Sequence, residues 1–163
     1  MYLHFICKVG AVKVKDTGFT SYRAAFKELD SKKVAVGLFA KVGDEVLTKG
    51  VVNEFGTTKA GKNHDIVIPE RSFIRSTYNK NYKKVSRRFG QIAKSIGDGN
   101  FRVTDKLRLI GVEQEAAIKK TMVDLKIPPN AASTIAKKGS SNPLIDTGET
   151  REKISSELRG ANE

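Results

Sequence analysis

The chain has 163 residues, 39% of them hydrophobic, with 30 Lys+Arg against 18 Asp+Glu, one Cys and no Trp. That length suits a single domain, and the aliphatic content is enough for a core, so wholesale disorder is excluded. The lone Cys7 excludes an internal disulfide framework and any CxxC-type zinc site. The longest uncharged stretch, Ile127 to Ala136, is about ten residues and contains two prolines. A membrane-spanning helix needs roughly 20 apolar residues, so none is expected. The opening MYLHFIC lacks a basic n-region and meets Lys8 at once. No signal peptide is expected, and the composition points to a soluble protein of a reducing compartment.

In chain order, Tyr2 to Val14 alternates loosely and predicts a strand or hairpin with Gly10 near its turn. Phe19, Tyr22, Phe26 and Leu29 are spaced 3-4-3, which predicts a helix with one apolar face after the cap candidates Asp16 and Thr17, ended by Lys32-Lys33. Val34 to Ala40 reads as a central strand. Val42 to Lys49, with Gly43-Asp44, reads as a turn between hairpin strands. Val51 to Thr57 reads as a short apolar element stopped by Gly56. Thr58 to Asn63 is an expected exposed loop and Asp65 to Pro69 an expected strand, with Pro69 opening the next helix.

Tyr78, Tyr82, Val85, Phe89, Ile92 and Ile96 repeat at 4-3-4-3-4, predicting one long amphipathic helix with its basic residues off the stripe. Gly97-Asp98-Gly99-Asn100 breaks it. Leu107, Ile110, Gln114, Ala117, Thr121 and Leu125, flanked by Ile118 and Met122, predict a second long helix that Pro128-Pro129-Asn130 ends. Ser133 to Lys138 reads as a short helical turn. Asp146 with Glu149 fits a capping box for a last short helix, with Ile154 and Leu158 as its apolar contacts and a frayed tail from Arg159. The expected fold is α+β, a small mixed or antiparallel sheet packed with two long amphipathic helices and short flanking helices. One domain is divided into a strand-rich part with one helix (1–69), two long helices (70–126) and a loop with a short C-terminal helix (127–163).

The net charge of +12 is uneven, and residues 61–108 carry +8 of it. Between 71 and 97 there are eight basic residues and no Asp or Glu. A one-signed segment attracts polyanions through phosphate neutralisation, or acidic proteins, and it also serves as a plain solvated face. Lys80, Lys83, Lys84, Arg87, Arg88 and Lys94 are the candidate contacts to a DNA lumen or another polyanion. No base-reading motif accompanies them.

Little in the sequence suggests catalysis. His4 and His64 lack partners at metal-ligand spacing apart from Asp65 beside His64. A Cys7/His64/Asp65 nucleophile set can be written down, but nothing in the sequence brings Cys7 to His64. Gly97-Asp98-Gly99 is no dinucleotide fingerprint, and no phosphate-cradling GxxxxGK[ST] loop occurs. No enzyme activity, cofactor or metal is expected.

Two motif blocks stand out. The first is Asn53-Glu54-Phe55-Gly56-Thr57, a loop, then Ile68-Pro69-Glu70-Arg71-Ser72-Phe73-Ile74-Arg75 ahead of the long helix. The second runs from Pro128-Pro129-Asn130 through Lys138-Gly139 to Asn142-Pro143-Leu144-Ile145-Asp146-Thr147-Gly148. Together they resemble the minor tail, or tail-completion, proteins of tailed bacteriophages, whose signature is E-F-G-T, a loop, and P-x-R-P-F-[LI]-R followed by a long helix. The resemblance spans residues 50–150. Ser72 stands where the family has proline, and the residues after Gly148 differ from the family's hydrophobic, strand-like ending.

The resemblance implies a non-enzymatic neck or head–tail joining protein of the virion, made in the bacterial cytoplasm. It would assemble as a ring, of six by analogy, and dock on tail-tube and head-connector proteins with non-specific contact to phage DNA. A basic nucleic-acid-binding accessory protein of a phage or prophage is the alternative. From the residues themselves, Gly56 is a candidate left-handed or close-packed turn, and Phe55 and Phe73 are candidate anchors of that loop to the core. Glu54 is a candidate ion-pair partner of Arg71 or Arg75, with a plain surface carboxylate as the other reading. The signature residues are thus Glu54, Phe55, Gly56, Thr57, Pro69, Arg71, Phe73 and Arg75. Candidate partner contacts are Pro128, Pro129, Asn130, Lys138, Gly139, Asp146, Thr147 and Gly148, together with the loop Thr57–Asn63.

Overall fold

The computed structural model describes residues 18–160. The expected N-terminal strand, with His4 and Cys7, lies outside them, as do the cap candidates Asp16 and Thr17. The described chain is α+β. Its elements are α1 (Phe19–Asp30), β1 (Lys32–Gly37), a 3-10 turn (Ala40–Val42), α2 (Asp44–Phe55), β2 (Thr57–Ala60) and β3 (Ile66–Ile68). They continue with α3 (Ile74–Gly97), α4 (Val103–Asp124), α5 (Ala132–Lys138), α6 (Glu149–Glu152) and β4 (Ser155–Gly160).

The scaffold is the pair α3–α4, folded back at the Gly97–Arg102 connection. Apolar residues at helical spacing bury one face of each helix, Ile92 and Ile96 on α3 and Val103, Leu107, Ile110, Ile118 and Met122 on α4. β1 pairs antiparallel with β4, from Lys32 opposite Gly160 to Gly37 opposite Ser155, and this ribbon lies along α4. Gly111 permits the approach. A Cβ there would stand 3.0 Å from the Ser156 Cβ and 3.3 Å from the Val34 Cγ1. The ribbon bridges two apolar clusters. One gathers Ala25, Ile92, Ile96, Val103, Leu107 and Ile110, and the other Phe73, Ile118, Met122, Leu144 and Ile154.

Several expectations need correction. Residues 42–49 form no hairpin turn. From Asp44 they open α2, which runs on to Phe55 and takes up most of the segment expected to be a separate short element. Its buried positions are Val46, Gly50 and Glu54, four residues apart. Two of these three are a glycine and a carboxylate, so a search for apolar periodicity finds no stripe. Gly50 is nonetheless a contact residue, because a Cβ would fall 2.3 Å from Leu38 Cδ1.

The expected central strand is shortened to Lys32–Gly37, with β4 its one partner among the described residues. Lys32 and Lys33 begin it rather than end α1. The expected loop at 58–63 contains β2, which pairs with β3 at Thr57–Ile68 and Ala60–Ile66. Pro69 does not open α3, which starts at Ile74.

The last helix is one turn only. Gly148, in a left-handed conformation (φ 88°), precedes it, and the Glu149 N–H donates to the Thr147 hydroxyl at 3.4 Å, so Asp146 forms no capping box. Ile154 follows that turn and Leu158 lies on β4, which also takes up Arg159, expected to fray. On α1, Phe19 and Phe26 face solvent, while Ala25, Tyr22 and Leu29 pack inward. On α3, Tyr78 and Tyr82 are exposed, and Val85 and Phe89 are half-buried.

This packing predicts unequal costs. Leu107→Ala should lower unfolding free energy by about 2–5 kcal/mol through cavity formation. Phe19→Ala should change it by no more than about 0.5 kcal/mol. Urea denaturation of the two variants checks the observed helix faces against the expected ones.

Candidate functional site

The two motif blocks meet at the start of α3. Glu54, on the last turn of α2, is 4% exposed and turns its carboxylate onto the first N–H groups of α3. Oε2 accepts from the amides of Phe73 (2.8 Å) and Ile74 (2.9 Å). Oε1 accepts from the amide of Arg75 (2.9 Å), the Ser72 hydroxyl (2.8 Å) and Arg75 Nε (3.2 Å). The first amides of a helix have no intrahelical acceptor and carry its positive dipole end, so a carboxylate satisfies both the donors and the field. α3 has no side-chain cap at its own N-cap residue, Phe73. The cap is supplied from α2 instead.

Burial alone would raise the Glu54 pKa. The bonds from the Ile74 and Arg75 amides, the Ser72 hydroxyl and the Phe73 amide outweigh it and hold the carboxyl below its ordinary value of 4.5. Glu54 is therefore neither a surface carboxylate nor a partner of Arg71; of the two candidate arginines it takes Arg75. Arg75 also donates from Nη2 to the Glu54 carbonyl (2.9 Å) and to Glu70 Oε1 (2.8 Å). Its guanidinium lies 4.7 Å from the Phe55 ring centroid.

The two phenylalanines part company. Phe73 is fully buried, as expected of an anchor. Phe55 is not an anchor to the core, being 59% exposed with the Arg75 guanidinium over its ring. Gly56 has φ 71°, and a Cβ would stand 2.8 Å from the Glu70 nitrogen and 2.9 Å from the Ile68 oxygen. Both are backbone atoms, so the expected close-packed turn is present. Thr57 begins β2, where its hydroxyl accepts from the Lys59 amide at 3.2 Å.

Arg71 makes the link to the second block. Its amide donates to the Asn53 carbonyl (2.7 Å). Its Nε and Nη2 donate to the carbonyls of Pro128 and Pro129, both at 2.9 Å. Beyond them Asn142 organises the loop. Its carbonyl accepts from Asn130 Nδ2 and Lys138 Nζ, each at 3.3 Å, and its side chain donates to the Val123 carbonyl (3.1 Å) and accepts from the Leu144 amide (3.0 Å). Sequence reasoning placed Asn142 in the block but missed its role. A polar residue just before a proline, in a glycine- and serine-rich loop, was the available signal. Gly139 ends α5 at φ 68°. Asp146, Thr147 and Gly148 line a neighbouring cleft of about 260 Å³ with Lys49 and Lys138. Pro69 lines a larger one, of about 710 Å³, with Arg71 and Pro129.

Beyond Arg75, the basic residues of α3 divide in two. Lys84 and Arg88 turn toward α4 and share Glu113, at 3.7 and 2.6 Å. Lys80, Lys83, Arg87 and Lys94 are exposed and make no ion pair among the described residues. Their 3-4-7 spacing sets them on one stripe, about 21 Å long at the helical rise. Of the six candidate polyanion contacts, two are thus near an acid and four are not. α4 brings the acid that the 71–97 window lacks. His64 sits at the β2–β3 tip at φ 55°, with Nδ1 3.2 Å from the Lys59 carbonyl.

Two substitutions test the junction. Glu54→Gln should cost at least about 2 kcal/mol, because it removes charge-assisted bonds to a buried helix end. Since the folded-state pKa lies below the unfolded one, the Glu54 contribution is fully present above about pH 4.5 and is lost as pH falls through the folded value. Urea melts across that range should show a smaller loss in Glu54→Gln than in the parent chain, since Glu28, Glu45, Asp124 and Glu157 are also held below their ordinary values and titrate in both. Gly56→Ala should cost about 1–3 kcal/mol from backbone strain alone, with the contact to backbone atoms adding to it. No protein-family model, curated protein or solved structure matches the chain.

Proposed function

We propose that this protein is a non-enzymatic structural subunit of a bacteriophage neck or tail. In this reading it serves in tail completion or head–tail joining, as a ring at the tail end that meets the head. The observation that carries the reading is the union of the two motif blocks through Arg71 and the Pro128 and Pro129 carbonyls. Residues that resemble the phage signature form one connected platform instead of scattered surface positions. The chemistry there is hydrogen bonding that holds shape. The Glu54 carboxylate is consumed in capping α3, which suits an assembly element better than a reaction centre.

A ring needs a heterologous contact, in which one face of a subunit meets a different face of the next. The exposed apolar residues of the platform, Phe55, Ile66 and Val67, supply material for such a contact. The stripe Lys80, Lys83, Arg87 and Lys94 supports a lumen role, since cations on one helix face suit exchangeable phosphate contacts without base readout. The same stripe favours a second reading, a basic nucleic-acid-binding accessory protein.

Quantitative mass spectrometry of gradient-purified phage particles separates the two. About six or twelve copies per particle, one or two rings of six, is the expected result. Absence from particles with abundance in the lysate would overturn the structural reading. A charge variant adds a second check. Replacing Lys80, Lys83, Arg87 and Lys94 by Gln should flatten the salt dependence of duplex DNA binding by about three to four in log–log slope. Assembly into particles should survive the change.

A further inference from the structure

Arg71 is 5% exposed, yet among the described residues no carboxylate lies within ion-pair distance of it. Its Nε and Nη2 are held by two carbonyls, while Nη1 has no hydrogen-bond partner among the described residues and is not one of the fully buried side-chain atoms, so it is open to the cleft. Carbonyl dipoles orient a guanidinium without neutralising it, and a buried cation lacking a counter-charge is unfavourable. Burial accordingly lowers the Arg71 pKa, with no neighbouring acid to offset it.

Arg71 lines the open cleft of about 710 Å³ described above, and Lys138 provides a second cation there. Among the described residues no Asp or Glu lines this cleft. The nearby acids Asp146 and Glu149 line the adjoining one, where they act on Lys49. Part of its lining is β3. Ile66, Val67 and Ile68 all reach the cleft, although successive residues of a strand point to opposite faces. The strand therefore presents its edge. β2 is its one partner among the described residues, and Ile66 and Val67 are 53% and 65% exposed. An unpaired strand edge beside exposed apolar side chains is a template for strand addition.

We propose that this cleft receives an extended, acidic peptide segment of a partner protein, added to the edge of β3 with a carboxylate on Arg71 and Lys138. Main-chain bonds to β3 supply affinity, and the two cations select an acidic side chain. The proposal rests on the assembly reading in one respect, that a partner protein docks on this platform. Nucleic acid suits the α3 stripe better, since that stripe lies open to solvent and carries four unpaired cations.

The test is fluorescence anisotropy of the full chain with a fluorescein-labelled octapeptide of alternating valine and glutamate, against the same peptide with glutamine. The glutamate peptide is expected to bind at least about tenfold more tightly. Lys138→Glu, on a half-exposed residue, should weaken it about tenfold, which keeps the test decisive if Arg71→Gln fails to fold. Hydrogen exchange of the 66–68 amides should slow on binding. Equal affinity for the two peptides, no effect of Lys138→Glu, or protection at 80–94 instead of 66–68 would overturn the proposal. The assay uses the isolated chain, so a negative result leaves the particle measurement to decide the assembly reading by itself.

Discussion

The structure depends on a carboxylate placed against the end of a helix that is not its own. Glu54 closes α2, caps α3 and is itself buried, so three features stand or fall together. A buried carboxylate is tolerated only when its oxygens are fully engaged. Here five donors from Ser72, Phe73, Ile74 and Arg75 engage them. That sets the angle at which α2 meets α3 and delivers Phe73 into the second apolar cluster. It also explains why α3 begins five residues after Pro69. The chain must pass over Glu54 before its amides can turn helical.

Arg71 extends the constraint across the molecule. Placed between the capping segment and the loop after α4, it ties carbonyls 57 and 58 residues away to the start of α3. The β2–β3 hairpin, the Pro128–Pro129 corner and α5 therefore surround one cleft instead of projecting as separate loops. Arg75 does the complementary work on the exposed side, bridging Glu54 and Glu70 over the Phe55 ring. Two arginines four residues apart thus have opposite settings. One is buried on carbonyls and the other is half-exposed on carboxylates, as follows from the turn between Pro69 and Ile74.

The basic helix shows how tertiary structure edits a sequence-level charge. Beyond Arg75, six cations on α3 read alike in one dimension. The partner helix engages Arg88 closely and Lys84 loosely through Glu113, and leaves Lys80, Lys83, Arg87 and Lys94 as a solvent-facing stripe. The net charge of the chain is unchanged by this, but the field it presents is narrower and better aligned.

What the sequence determined by itself is what local physics decides. Period-3.6 apolar spacing marked α1, α3 and α4. Glycines at 97 and 99 and prolines at 128 and 129 marked where helices stop. The positive φ at Gly56 was legible because glycine there had a conformational reason. The motif residues Glu54, Arg71 and Arg75 were legible as important without their partners being legible. Tertiary structure alone decided the rest. α2 is a helix because Gly50 and Glu54 meet Leu38 and the end of α3, contacts that leave no apolar stripe behind. Residues 155–160, with Ser-Ser-Glu at their start, carry little intrinsic strand preference, and become β4 because β1, more than a hundred residues earlier, offers them an edge above Gly111. Periodicity reports only what neighbours along the chain share, whereas a cap from another helix or a strand partner is a relation between distant residues that no local pattern encodes.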